Sequence, residues 1–366
     1  MGDFTTPAPH TDRAGGKGRT AKRGDAGAGK TNGGVRRAAS SPGWPVRRAY
    51  AALDLGTNNC RLLIAKPSAD GFVVIDAFSR VVRLGEGLAS SGVLSDAAIE
   101  RAIAALGVCA EKLRRRNVTL ARSVATEACR RASNGQDFIH RVQRETGIWL
   151  DVITAQEEAR LAVLGCHVLL EPGDGPALIF DIGGGSTELV LVSTGGAVPE
   201  IIDWKSAPWG VISLYESEMP NAANRDDRTA AYERMKARVR GSFSDFAARL
   251  PAGGPQHRLL GTSGTVTTLA SLHLELPSYD RNQIDGLIVP SAAMLDICRR
   301  LSAMAPDERA LQPCIGRERA DLVVAGCAIL ETILKIWPAA RLGVADRGIR
   351  EGILRTLMAG TAGQGH

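Results

Sequence analysis

Apolar and polar positions along this chain follow two regimes. In one, short runs of β-branched and leucine residues are cut by glycine turns; in the other, apolar residues recur every three or four positions. Ala51-Ala52-Leu53-Asp54-Leu55 leads into Gly56-Thr57-Asn58-Asn59, and Arg61-Leu62-Leu63-Ile64-Ala65 follows. The spacing predicts strand, tight turn and strand, because the turn residues tolerate positive φ. Phe72–Leu84 reads as a third strand region. Ser95 or Asp96 then caps a helix with Ile99, Ile103, Leu106, Ala110 and Leu113 at helical spacing. A strand over Ala121–Thr126, a helix over Gln136–Thr146, a strand over Trp149–Ile153 and a long helix from about Ala155 come next.

The pattern then restarts. Glu171-Pro172-Gly173-Asp174-Gly175-Pro176 reads as a boundary. Ala177–Ile182, Gly183-Gly184-Gly185-Ser186-Thr187-Glu188 and Leu189–Val192 repeat the strand, turn and strand. A helix over Tyr232–Leu250, a strand and glycine turn at Leu259–Thr265, an apolar helix over Asp321–Ile336, a strand at Leu342–Val344 and a helix from Glu351 follow. Alternating strands and helices predict an α/β fold. Asp54 and Asp181, 127 residues apart, occupy the same point of a topological repeat. The expected organisation is a basic tail over residues 1–48, one domain over 49–172 and a second over 173–366, the last helix being able to pack back on the first domain.

Charge matters at one end only. Of the formal +6, the first 48 residues carry +7, from ten Lys and Arg against three Asp, so the remainder is nearly neutral. The tail is rich in Gly, Ala, Ser and Thr and is expected to be disordered. It can contact RNA or another polyanion weakly, or be a solvated extension without a role. Gly24–Thr31 matches the G-x-x-x-x-G-K-[ST] pattern, but no apolar strand precedes it and no helix signal follows. Seven scattered cysteines with no CxxC pair point to reduced, buried thiols. No run is long enough to span a bilayer, and the N-terminus lacks an apolar signal core, so a cytoplasmic protein with no membrane contact is expected. A homodimer is expected as well.

Three places carry candidate chemistry. The Asp54 and Asp181 turns pair a strand-end carboxylate with exposed backbone N–H groups, a combination suited to a phosphate and a divalent cation. The three glycines at 183–185 let backbone approach an anion closely. Glu127, Arg130 and Arg131 stand at a strand end, where the arginines suit phosphate and the glutamate suits a water, or where all three form ion pairs within a helix start. Ser263-Gly264-Thr265 opens a helix and is either an anion site or an ordinary capped turn. Thr154 and Glu157 fit a capping box. No GxSxG elbow or histidine pair is present, which leaves direct water attack assisted by a metal and a carboxylate.

Several of these motifs recur in order. They are Asp54-Leu55-Gly56-Thr57-Asn58, Ala125-Thr126-Glu127-Ala128 with Arg130, Glu157-Glu158-Ala159-Arg160, and Asp181-Ile182-Gly183-Gly184-Gly185-Ser186-Thr187-Glu188. Gly261-Thr262-Ser263-Gly264-Thr265, Glu318-Arg319-Ala320-Asp321 and Arg347-Gly348-Ile349-Arg350-Glu351-Gly352 complete the series. Over about residues 49–357 the chain resembles the exopolyphosphatase / guanosine pentaphosphate phosphohydrolase (Ppx/GppA) family, in its short two-domain form. The resemblance implies two ribonuclease-H-like domains of the acetate and sugar kinase/Hsp70/actin type, with the site in the cleft between them. It implies magnesium-dependent release of a terminal phosphate from inorganic polyphosphate or from guanosine pentaphosphate. By the same resemblance Glu127 is the general base, and Asp54, Asp181 and Glu157 hold the metal or its waters. Gly56, Thr57, Asn58, Gly183, Gly184, Gly185, Ser186 and Thr187 bind phosphates. Asn59 stands where many relatives have serine. A kinase or ATPase, or a non-catalytic polyphosphate- or alarmone-binding protein, is compatible with the same fold.

Overall fold

The computed structural model describes residues 48–362, apart from Asp70, Ala197, Pro220, Asn221, Ala223 and residues 252–256. The P-loop-like match and the rest of the basic tail lie outside the described residues. In chain order the first half holds β1 (Ala49–Leu55), β2 (Asn59–Ser68), β3 (Gly71–Val81), α1 (Leu88–Ser91), α2 (Asp96–Arg115), β4 (Val118–Ala125), α3 (Glu127–Arg131), α4 (Gly135–Thr146), β5 (Asp151–Val152) and α5 (Ala155–Cys166). The second half holds β6 (Ala177–Ile182), β7 (Thr187–Ser193), β8 (Glu200–Ala207), α6 (Val211–Glu218), α7 (Arg225–Ala247), β9 (Arg258–Thr262), α8 (Gly264–His273) and α9 (Arg281–Ile284). It ends with β10 (Ile288–Pro290), α10 (Ser291–Ala303), α11 (Pro306–Ala310), α12 (Leu322–Ile336), β11 (Arg341–Ala345) and α13 (Ile349–Ala362).

The strands build two sheets. The first runs β3-β2-β1-β4-β5, and the second runs β8-β7-β6-β9-β11 with β10 added at its edge. In each, an antiparallel three-strand meander is followed by strands parallel to the first. Both are the ribonuclease-H-like arrangement, so the restart of pattern near residue 177 is a true repeat of topology. The continuous apolar runs became central strands: β1 and β6 are covered on both faces, and in each the aspartate is the residue that keeps some exposure. The strand expected over Trp149–Ile153 shrinks to Asp151–Val152, which pairs only with Val124 and Ala125 at the sheet edge.

Helices start where hydroxyl and amide caps stand. Ser95 accepts from the Ala98 N–H, and Thr154 accepts from the Glu157 N–H. Asn224 and Asp227 exchange side chain and backbone bonds as a capping box, which begins α7 earlier than the apolar spacing from Tyr232 indicates. α13 returns to the first sheet. Ile349, Ile353 and Leu354 share a buried cluster with Tyr50, Ala52, Leu63 and Val124, and with Leu161 of α5. Gly352 has no room for a side chain, because a Cβ there would overlap the Leu161 carbonyl group.

Candidate active site

The two glycine turns are geometrically alike. The Gly56 N–H donates to the Asn59 carbonyl at 2.9 Å, and the Gly183 N–H donates to the Ser186 carbonyl at 2.9 Å. Hairpin register fixes what faces each aspartate: Asp54 lies opposite Arg61, and Asp181 lies opposite Glu188. The turns also touch. A Cβ at Gly184 would stand 3.0 Å from the Asn58 nitrogen, and one at Gly185 would stand 2.8 Å from Thr57 Oγ1 and 3.0 Å from Glu127 Cγ. Glycine at 184 and 185 is thus what lets the two lobes close on each other.

Between the turns lies a cavity of about 140 Å³. Asp54, Gly56, Thr57, Asn58 and Arg61 come from the first hairpin, and Asp181, Gly183, Gly184 and Ser186 from the second. Thr126 and Glu127, where β4 runs into α3, form another wall with Glu158 of α5. Ser263, Gly264 and Thr265 bring the N-terminus of α8 to the cavity, and Arg319 supplies a second guanidinium. Free N–H groups at a ten-residue helix start favour an anion there.

The electrostatics are dominated by buried carboxylates. Burial raises the pKa of Asp54 above the usual carboxylate range, against the pull of Arg61 and Arg350. Its Oδ1 is buried without a hydrogen-bond partner, as is Oδ1 of Asn58. Burial, and then the facing Glu188, push Asp181 up to about 8. Glu188 is itself raised to about 7 by burial, although Ser206 donates to it at 2.7 Å. Glu158 is raised by burial and by Glu188. Carboxylates this crowded require protons or a cation.

The donor set fits magnesium in one particular way. An orphaned Asp54 oxygen and a neighbouring Asp181 are hard oxygen ligands, and magnesium commonly uses one or two carboxylates together with water and substrate phosphates. Among the described residues no group of three or more His, Cys, Asp or Glu is placed to hold a metal ion. The fit is therefore to a two-carboxylate site that phosphate and water complete.

Comparison with known proteins shows the family. The family model described as the Ppx/GppA phosphatase family matches residues 63–360. The chain belongs to the Ppx/GppA phosphatase family. It is 31% identical to exopolyphosphatase 2 of Mycobacterium tuberculosis over 325 residues, covering 84% of this chain and 98% of that relative. It is 29% identical to a guanosine-5'-triphosphate,3'-diphosphate pyrophosphatase of Pseudoalteromonas translucida, covering 86% of this chain and 60% of the relative. Among solved structures, the Aquifex aeolicus Ppx/GppA family member superposes with a TM-score of 0.70 at 28% identity, over 87% of this chain and 99% of that one. An exopolyphosphatase from Cytophaga hutchinsonii gives 0.74 at 26%, over 86% and 98%. As a Ppx/GppA member the chain is a phosphohydrolase, and its two lobes have the expected actin-like architecture.

Within this Ppx/GppA site, four expected residues lie elsewhere than the sequence indicates. Arg130 does not line the cavity. It donates to Glu127 Oε2 at 2.5 Å, to Glu158 Oε2 at 3.3 Å and to the Ile153 carbonyl at 2.7 Å, so its charge is spent on the carboxylates and not on a phosphate. Glu157 also lies outside. Its carboxylate accepts from Arg160 and Arg122, which hold its pKa below the ordinary value, and the adjacent Glu158 faces inward instead. Thr187 is fully buried and donates its hydroxyl to the Trp209 carbonyl. Gly185 packs against Thr57 and Glu127, behind the cavity wall. The sequence also underplayed Arg61, Glu158, Glu188 and Arg319. Counting the hairpin register outward from each turn would have found Arg61 and Glu188.

Proposed function

We propose that this chain is an exopolyphosphatase that removes the terminal phosphate of inorganic polyphosphate with magnesium bound at Asp54 and Asp181. The observation that carries this is the placement of Glu127 in the wall of a cavity flanked by two glycine turns of the same hydrogen-bonded geometry. Exopolyphosphatase 2 of Mycobacterium tuberculosis, matched over nearly its whole length, supports the choice of substrate. The residues lining the cavity, which combine backbone turns, hydroxyls, two guanidiniums, four carboxylates and a few aliphatic side chains, include no aromatic ring against which a purine would stack.

The residues divide the work. Backbone N–H groups of the two turns, with Ser186, Ser263 and Thr265, hold phosphate oxygens, and Arg61 and Arg319 offset the charge of the polyanion. Magnesium, when bound, neutralises charge on the phosphate oxygens. Glu127 orients a water and accepts its proton as the oxygen attacks the terminal phosphorus. The anhydride P–O bond breaks, and its electron pair leaves with the shortened chain. Arg130 fixes the Glu127 carboxylate by donating twice to Oε2, while Arg131 stands 3.8 Å from the other oxygen.

Phosphate release from polyphosphate and from guanosine pentaphosphate, each with magnesium, tests the proposal. Turnover of the nucleotide alone would replace the substrate, and turnover of neither would overturn the activity. Glu127→Gln is expected to fold, with a melting temperature lowered because Arg130 and Arg131 lose a charged partner, and to lose roughly 10²–10⁴-fold in kcat, the usual worth of a positioned base. A wild-type rate in that variant would remove Glu127 from its role.

A further inference from the structure

A second cavity, of about 40 Å³, shares with the first the wall formed by Asp54, Arg61, Asp181, Ser263 and Ile349. Its other side is Thr262, at the end of β9, and the segment from Ala345 to Arg350 that carries β11 into α13. A water needs roughly 10–15 Å³ of such space, so the cavity has room for about three waters or one tetrahedral oxyanion.

Two guanidiniums meet there. Arg61 and Arg350 both line the cavity, and neither makes a hydrogen bond or a close ion pair with another described residue. A guanidinium carries five N–H donors in a fixed fork, so a set of donors suited to an oxyanion goes unused. Burial, and then the like charge of Arg61, pull the pKa of Arg350 down. Glu351, Asp54 and Asp346 offset part of this charge at a distance, but none of them bonds directly to either guanidinium. Asp346 pairs with Arg281 at 3.2 Å, and Arg347 donates to Asp285 at 2.6 Å. The 14-residue helix α13 begins at the same wall and adds the positive end of its dipole. A long-range counter-charge to Asp54 would explain one arginine here, but neither the second nor the space between them.

We propose that this second cavity binds inorganic phosphate, the product of the reaction, between Arg61 and Arg350. The proposal rests on the hydrolase function above for the source of the phosphate, while the binding chemistry stands on two guanidiniums whose N–H donors are unbonded beside the Asp54 and Asp181 wall. Arg61 borders both cavities, so it can contact a phosphate on either side of the aspartate wall. Product and shortened polymer then occupy separate chambers, and phosphate inhibits without displacing the polymer.

The test is calorimetric titration of inorganic phosphate into the Glu127→Gln protein saturated with polyphosphate. One phosphate is expected to bind per chain. Arg350→Gln is expected to weaken that binding roughly tenfold or more, the worth of a charge-assisted bond, with Arg350→Lys recovering part of it. Loss of phosphate binding when polyphosphate is present, or wild-type affinity in Arg350→Gln, would overturn the proposal. A melting curve checks that Arg350→Gln is folded; if it is not, the polymer-loaded titration decides alone. If polyphosphate itself does not bind, the same titration of wild type and Arg350→Lys decides. A failed hydrolase assignment reads differently, as phosphate binding to wild-type protein that turns over no substrate.

Discussion

Arg130→Met separates a residue that positions the base from one that binds substrate. The change removes the guanidinium and keeps an apolar stem of similar length. It deletes the bonds to Glu127 Oε2, Glu158 Oε2 and the Ile153 carbonyl. The carboxylate side chains left behind are only 13% and 10% exposed. Removing one partner of a buried ion pair costs ~3–5 kcal/mol. The low end applies, because Glu127 borders a cavity that water enters and keeps Arg131 at 3.8 Å. A loss of ~3 kcal/mol corresponds to a fall of roughly 6–12 °C in melting temperature. The loss should depend on pH. Glu158 is raised above 4.5 in the folded protein, so it withdraws stability as pH rises from that value toward its folded pKa. Without Arg130 the folded pKa rises further, and the penalty grows from small near pH 4.5 to full on the alkaline side. The assay is thermal melting at pH 5 and pH 8 beside steady-state phosphate release at pH 8. The expected kinetic loss is in kcat. A raised KM at unchanged kcat, or an equal melting loss at both pH values, would refute the reasoning and return Arg130 to phosphate binding.

Gly185→Ala places a methyl 2.8 Å from Thr57 Oγ1 and should cost ~1–3 kcal/mol by overpacking, with turnover falling as the lobes are forced apart; a fully active, equally stable variant would show that close approach is not what the glycine serves. Glu157→Gln should leave turnover unchanged and cost about 1 kcal/mol, since its ion pairs are only partly buried and each arginine keeps the Gln oxygen as an acceptor. A loss of activity restored by excess magnesium would instead make Glu157 a ligand. Asp181, raised from 3.8 to about 8, holds a proton more tightly folded than unfolded, so metal-free protein should lose stability as pH climbs through that window. Magnesium should then raise the melting temperature more at pH 8.5 than at pH 6, and an equal rise would argue against Asp181 as its ligand.

Much of the scaffold could be read directly because its signals are local. The apolar runs at 51–55 and 177–182, the glycine turns that end them, and caps such as Ser95 each act through neighbours a few residues away. The turn residues Gly56, Thr57, Asn58, Gly183 and Gly184 reached the cavity for the same reason: a tight turn fixes its own N–H directions. Side-chain direction on the helices did not yield to such reading. Glu157 and Glu158 are adjacent on α5, and only the docking of that helix against α13 and the second sheet decides which faces the cavity. Arg130 shows the same limit, since two of its acceptors lie 23 and 28 residues away.

The sequence by itself determined two strand-turn-strand units, each with an aspartate near the end of its first strand, a nearly neutral folded core and a glutamate at a strand end. Tertiary structure decided that the turns touch, that Arg130 bonds to Glu127 and Glu158, and that Arg61 and Arg350 converge on one cavity. Hydrophobic periodicity is written into a window of a few residues. The energy of a buried charge depends on every group brought within reach of it, and only the packed fold sets that.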